Sequence, residues 1–486
     1  MHNFLEFLKN CAKRGKGRGN IMDKFFKVKE RGSTVGIEIL GGLTTFFAMA
    51  YIIFVNPNIL GSVDDGLKSS IFLATCLAAA LGTILTAFMA NVPFAQAPGM
   101  GLNAFFTYTV CFGMGYSFNQ ALAIVFISGF LFLIVSVTPL RTLIIKSIPA
   151  CIKAAIGAGI GLFIAFIGLL ESGNGIVKLD EANSITGLNL AVDGALNMDA
   201  MLTIIGVLII GVLLACKVRG AIFIGIVVTT IIGIPMGVTH VPEQFFTWDL
   251  TLSGTFMKFE FGNLLSNGLL PLVTAIISFF IVDMFDTIGT LIGTAGNNNM
   301  LDEEGNMPGG DKAIIADAIA TCAGAALGTS TVTTFVESSA GISEGARTGL
   351  ASITTGLMFI IAIVLSPLAL MIPGAATAPA LIIVGVFMLK SATRIAWDDM
   401  EQAIPAFLTI AMMPFAYSIS DGVAFGFISY VIIKSVRAII LLFAPKKVGE
   451  NGEEPETASS KIKEIPVLMW IISIMFIVMY LLKDII

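Results

Sequence analysis

The sequence is poor in charge. Of its 486 residues only 13% are Asp, Glu, Lys or Arg, while 56% are hydrophobic, and the mean hydropathy is +0.91. A soluble domain carries roughly 25% charged residues. A water-soluble fold of this length would have to expose its apolar excess, so the composition points to the bilayer. Histidine is almost missing, with only His2 and His240, and the six cysteines (Cys11, Cys76, Cys111, Cys151, Cys216, Cys322) form no CxxC pair or Cys/His cluster. That argues against zinc and haem; no metal or cofactor is expected, and the cysteines read as small packing residues. A signal-peptide pattern is also lacking. The basic run from Lys9 to Arg31 precedes any apolar core and is too long for a signal n-region. By the positive-inside rule it is expected in the cytoplasm, in keeping with a bacterial inner (plasma) membrane.

What the chain does have is apolar runs of membrane length, about 20 residues each. Spans are expected at 36–57, 70–90, 117–138, 150–171, 199–217, 220–238, 263–295, 311–328, 347–373, 376–393, 403–418 and 422–444, with a last apolar run at 465–483. Charges fall between them, as with Arg141, Lys146, Lys217, Arg219, Lys446 and Lys447. The stretch 241–262, with Trp248, Phe256, Phe259 and Phe261 among charges, reads as interfacial, and the acidic 448–463 as a linker. Two apolar stretches, 93–112 and 330–346, are short and interrupted, one by Gln96 to Asn103 and the other by Thr329 to Gly341. Non-helical backbone at membrane depth is tolerated only where protein buries it or a cavity is lined, and the Thr/Val run favours extended chain.

A weak internal repeat is also present. Ala79–Thr83 recurs as Ala325–Thr329, Ala97–Ala104 lines up with Ser339–Ala346, and Leu202–Ile204 followed by Gly220–Phe223 echoes Leu408–Ile410 followed by Gly422–Phe425. An odd number of spans between copies inverts their topology, and a pair of interrupted segments at matching places is the best sequence pointer to a substrate site.

Three carboxylates stand inside apolar runs: Asp283, Asp286 and Glu337. A charge at the centre of a membrane helix costs about 2.5–3.5 kcal/mol even on the insertion scale, which favours a functional reading. Asp283 and Asp286 are three apart and share a helix face. Two carboxylates that close rarely both ionise in a low dielectric, so one is expected to hold a proton. The structural alternative is that such acids cap half-helices or bind hydroxyls across an interface. Glu344 is expected to pair with Arg347, Glu38 to be interfacial, and Asp317 is left without a role. A carboxylate suits a flat ligand edge with paired N–H donors, and Phe280, Phe285 and Phe335 are near enough in sequence to stack on a ring, although packing is the ordinary fate of a membrane Phe. The residues themselves lead to a carrier with acidic binding groups. A channel suits paired broken helices less well, and an intramembrane enzyme lacks a nucleophile–base pair.

Four motifs together carry a resemblance: Gly41 to Tyr51, Ala97 to Phe106, Val282 to Thr290 and Thr333 to Ile342. In order and spacing, over about residues 22–445, they resemble the azaguanine-permease-like branch of the nucleobase–ascorbate transporter family. The resemblance implies an all-α integral membrane protein with 14 transmembrane segments in 7+7 inverted repeats, split into core and gate domains, with short strands in the two broken half-helices. On that pattern residues 1–35 are the basic N-terminus, 36–149 and 263–373 the core, 150–262 and 374–445 the gate, and 446–486 a linker with an extra helix. It implies proton-coupled uptake of adenine, guanine or hypoxanthine, with no enzyme activity and no nucleic-acid partner. Asp283 and Glu337 would bind substrate, with Gln96, Ala97, Asn103, Phe335 and Phe280 around them. Asp286, Asp283 and Glu337 would serve proton coupling, and a homodimer through gate helices is expected. The runner-up is a related carrier of another nucleobase or a small anion.

Overall fold

The computed structural model describes residues 25–140, 148–170, 175–179, 185–192, 195–242, 251–298, 300–302, 307–443 and 465–483. Most of the basic N-terminal run, Arg141 and Lys146, Trp248, Lys446 and Lys447, and the 448–463 linker lie outside these residues. The chain is helical: α1 (Val35–Met49), α2 (Ile52–Leu60), α3 (Lys68–Ala90), α4 (Met100–Ala104), α5 (Phe118–Val137), α6 (Ala150–Leu170), α7 (Met198–Ala215), α8 (Ala221–Gly233), α9 (Leu269–Asn297), α10 (Gly310–Leu327), α11 (Ser338–Ser343), α12 (Gly349–Ala362), α13 (Ser366–Leu370), α14 (Gly374–Leu389), α15 (Met400–Phe415), α16 (Ile419–Phe443) and α17 (Val467–Lys483). Among the described residues nine helices are long and apolar enough to cross a membrane, counting α1–α2 and α12–α13 each as one span. Every expected span holds a helix, with shifts at the ends: the one expected from 263 starts at Leu269, after turns. The expected spans at α8, α10 and α15, and the last apolar run at α17, are helices outside the nine; α8 has 13 residues. α10 carries Asp311, Lys312 and Asp317, and α15 has 16 residues with Pro405 and Pro414 inside.

Helices α1, α3, α5, α10 and α12 pack mutually in one group, while α6, α14, α15 and α16 pack in another, with α7 and α8 against α14. Strand β1 (Gln96–Pro98) precedes α4, and Phe105–Gly113 continues α4 in wide π-helical turns. Strand β6 (Val332–Thr334) precedes α11. The intervening strands β2 (Val177–Leu179), β3 (Ile185–Leu188), β4 (Ala191–Val192) and β5 (Ala195–Leu196) make two small hairpins between α6 and α7.

The two interrupted stretches meet. β1 and β6 pair antiparallel, Gln96 opposite Thr334, Ala97 opposite Thr333 and Pro98 opposite Val332. A two-stranded ribbon is marginal by itself, and its outer edges would leave backbone groups bare at membrane depth. Threonine hydroxyls meet that need. Thr83 of α3 bonds both the N–H and the carbonyl of Gln96, each at 2.9 Å. Thr321 of α10 does the same for Val332, at 3.2 and 2.9 Å. These two threonines occupy equivalent places, which corrects the register of the repeat. The sequence echo set Thr83 against Thr329, roughly two helical turns too late, because Ala-Ala-Leu-Gly-Thr is cheap to match in an Ala/Gly-rich chain.

Two charged residues also differ from expectation. Glu38 is fully buried rather than interfacial, and its carboxylate accepts the N–H groups of Arg347 (2.9 Å) and Thr348 (3.2 Å) at the start of α12, where a negative charge suits the helix dipole. Glu344 pairs with Arg219 at 2.5 Å, not with Arg347, whose guanidinium turns back to the carbonyls of Ile342 and Ala346, both at 2.7 Å. The loop before α8 is thereby tied to the end of α11.

The α11 helix lies so close to α1 that neither side tolerates a side chain. A Cβ on Gly41 would lie 2.6 Å from Ala346 Cβ and 2.9 Å from the Gly341 carbonyl oxygen, and one on Gly341 would strike the Gly41 carbonyl. Overpacking of this kind costs about 1–3 kcal/mol. Gly341→Val should therefore lower the melting temperature of the detergent-solubilised protein by several degrees; an unchanged melting curve would show that the contact yields.

Candidate substrate site

The site is built around β6 from three elements. On α9, Asp283 and Asp286 share a face as their spacing requires. Asp283 is 1% exposed, and its Oδ2 accepts the Thr321 hydroxyl at 2.9 Å. Its Oδ1 is buried with no hydrogen-bond partner among the described residues. A buried carboxylate oxygen without a donor is rare in folded proteins and asks for an explanation. Asp286 accepts the Thr333 hydroxyl at 3.3 Å. Glu337 sits between β6 and α11, and its Oε1 accepts the hydroxyl of Tyr51 at 2.6 Å. Asp286 lies within electrostatic reach of both Glu337 and Tyr51. The structure thus brings the three expected acids to one strand.

The remaining expected residues divide. Phe335 is buried with its ring 6.4 Å from that of Tyr51, at the Glu337 end. Gln96 is wholly buried and donates to Asp317 at 3.0 Å, and its Oε1 lies 3.0 Å from where a Cβ on Gly82 would sit. It faces α3 and α10. Ala97 is buried opposite Thr333, and the Asn103 side chain accepts the Ser330 hydroxyl across the ribbon. Phe280 packs edge-on with Phe132, ring centres 6.2 Å apart, and Phe285 lies under Lys153 Nζ at 5.6 Å.

Two residues given no role by sequence reasoning are central. Asp317 is fully buried and accepts three side chains: Gln96 (3.0 Å), Thr334 (3.3 Å) and Thr287 (2.8 Å). It joins α9, α10, β1 and β6 at one carboxylate. Its acidic charge in an apolar run was the available signal. Tyr51 ends the first of the four motifs, at the break between α1 and α2. A phenol in an otherwise apolar run, which needs a partner when buried, was the corresponding sign.

A family model described as a permease family matches residues 36–425. This chain belongs to that permease family. The permease is a multi-pass membrane transporter and not an enzyme. It is 43% identical over 421 residues to the guanine/hypoxanthine permease PbuO of Bacillus subtilis (85% of this chain, 94% of the relative). It is 39% identical over 426 residues to the adenine permease AdeP of Escherichia coli (86% and 91%). The resemblance drawn from the four motifs is borne out by these matches. Among solved structures, the permease has the fold of the transmembrane domain of a cyanobacterial bicarbonate transporter, BicA, with a TM-score of 0.59 at 14% identity, covering 79% of this chain and 96% of that domain.

Proposed function

We propose that this permease imports purine bases (hypoxanthine, guanine, adenine) with protons across the plasma membrane by alternating access. The observation that carries the reading is Asp283 Oδ1, a buried acceptor without a donor among the described residues, on the same strand-centred cluster as Glu337. A purine edge supplies N–H donors to such oxygens. Asp283 and Glu337 grip the base with Phe335 beside it, and a proton resides on Asp286, Asp283 or Glu337 in the loaded state. Gln96, Ala97 and Asn103 hold the strand pair beneath the base. The core (36–149 and 263–373) carries the site, and the gate (150–262 and 374–445) moves against it, within a 14-segment inverted repeat whose N-terminus is cytoplasmic and whose gate helices pair two copies. The names of PbuO and AdeP agree with a purine substrate. Acids rather than Arg or Lys at the site disfavour an anion.

Uptake of radiolabelled hypoxanthine, guanine and adenine in cells lacking their own purine carriers, with and without a protonophore, tests this. Saturable uptake of at least one base, cross-inhibited by the others and lost with the protonophore, is expected. No purine uptake by a well-inserted protein rejects the substrate class, and uptake indifferent to the protonophore rejects the coupling.

A further inference from the structure

Tyr51 is 1% exposed, and its ring lies beside Phe335. Its hydroxyl meets Glu337 Oε1 at 2.6 Å, a charge-assisted distance. An ionised carboxylate only accepts, so the phenol must donate. The residue sits where α1 gives way to α2: Met49 ends one helix and Ile52 begins the next. The junction is fixed by the buried neighbours Ala50, Ile52 and Ile53. Apart from Tyr51, the only group that bonds the Glu337 side chain among the described residues is its own backbone N–H. Glu337 is only partly buried, follows the end of β6, and is preceded by Val336, which is 50% exposed. Tyr51 is the one side chain bonded to its carboxylate among the described residues.

We propose that Tyr51 is a positioning residue for substrate recognition. Its hydroxyl occupies Oε1 and locks the Glu337 side chain, so that Oε2 is left as the single acceptor aimed at the N–H edge of the base. This rests on the purine-carrier reading above. It makes the selected ligand feature specific: a ring N–H directed at one fixed oxygen, rather than any cation near a mobile carboxylate. A flexible Glu would have to lose rotamer freedom on each binding event, and ordering it in advance lowers that cost. The effect belongs to binding of the base, not to movement of the loaded carrier.

The test is initial-rate uptake of hypoxanthine by wild type, Tyr51→Phe, Glu337→Ala and the double variant, each normalised to inserted protein. Tyr51→Phe keeps the ring against Phe335, so its melting temperature in detergent should match wild type. A rise in KM of about five- to tenfold with near-normal maximal rate is expected. In the Glu337→Ala background, which leaves the phenol no acceptor at this position, the same change should add little, because the two residues act as one unit. A wild-type KM in Tyr51→Phe, or an equal Tyr51 effect with and without the Glu337 carboxylate, overturns the proposal while leaving purine transport intact. If Tyr51→Phe misfolds, Tyr51 is a packing residue and the proposal is equally overturned. Absence of base uptake by wild type removes the carrier reading itself, and this inference with it.

Discussion

Asp283→Asn should be made and inserted normally yet take up purine bases poorly, with KM raised roughly ten- to 150-fold. Two features separate the effect on binding from an effect on folding. Thr321 donates to Asp283 Oδ2 at 2.9 Å, and an asparagine oxygen accepts the same hydroxyl. The packing shape is conserved, since the amide replaces the carboxylate atom for atom. What disappears is the charge at Oδ1, the buried atom with no donor among the described residues. A hydrogen bond to a charged group contributes about 1.5–3 kcal/mol, and each 1.4 kcal/mol is tenfold in affinity. The amide also turns a donor toward the ligand's N–H groups. Wild type should therefore melt higher in the presence of saturating base, as linkage requires, and Asp283→Asn should not. Wild-type KM in the variant would remove Asp283 from the binding site.

The architecture and the site were legible in the sequence to different degrees. Membrane residence and the helices followed from charge scarcity and run length, because the bilayer enforces both. The interrupted segments followed from Pro, Gly, Gln and Thr in places where a lipid-facing helix has none. That β1 and β6 pair with each other did not follow, since register between strands so distant in the chain has no local signature. The inverse held for the acids. Asp283, Asp286 and Glu337 stood out by cost, but so did Asp317, and nothing in its flanks told a ligand-facing carboxylate from one that braces the scaffold. Only the partners decide. Asp283 keeps one oxygen bare, whereas Asp317 has both oxygens engaged. Gln96 combines both situations: its Nε2 donates to Asp317 at 3.0 Å, while its Oε1, like Asp283 Oδ1, is buried with no donor among the described residues. Glu344 was matched to Arg347 by proximity in sequence, and Arg219, remote in the chain, took the place.

Asp317 therefore predicts the opposite kind of failure from Asp283, although both are buried acids and the same substitution tests each. Its Oδ1 takes Gln96 and Thr334, one from each strand of the ribbon, and its Oδ2 takes Thr287 of α9. Asp317→Ala removes the acceptor that three buried donors share, leaving Thr287 only Thr333 at 3.0 Å and Gln96 only Thr334 at 3.4 Å. Each unmet buried group costs about 1–3 kcal/mol, together a large fraction of the 5–15 kcal/mol that holds a typical domain. That variant should fail to give a monodisperse peak after detergent extraction. Asp317→Asn keeps one acceptor and sets an NH2 against a donor, so it should fold but melt well below wild type. Its uptake should fall through maximal rate and protein level together, since the strand pair beneath the base loses its tie to α9. Measured side by side, Asp283→Asn should lose affinity at a wild-type melting temperature, and Asp317→Asn should lose the melting temperature itself. If Asp317→Asn melts with wild type, the three bonds to its carboxylate do not brace the ribbon, and Asp317 belongs with the substrate-binding acids instead.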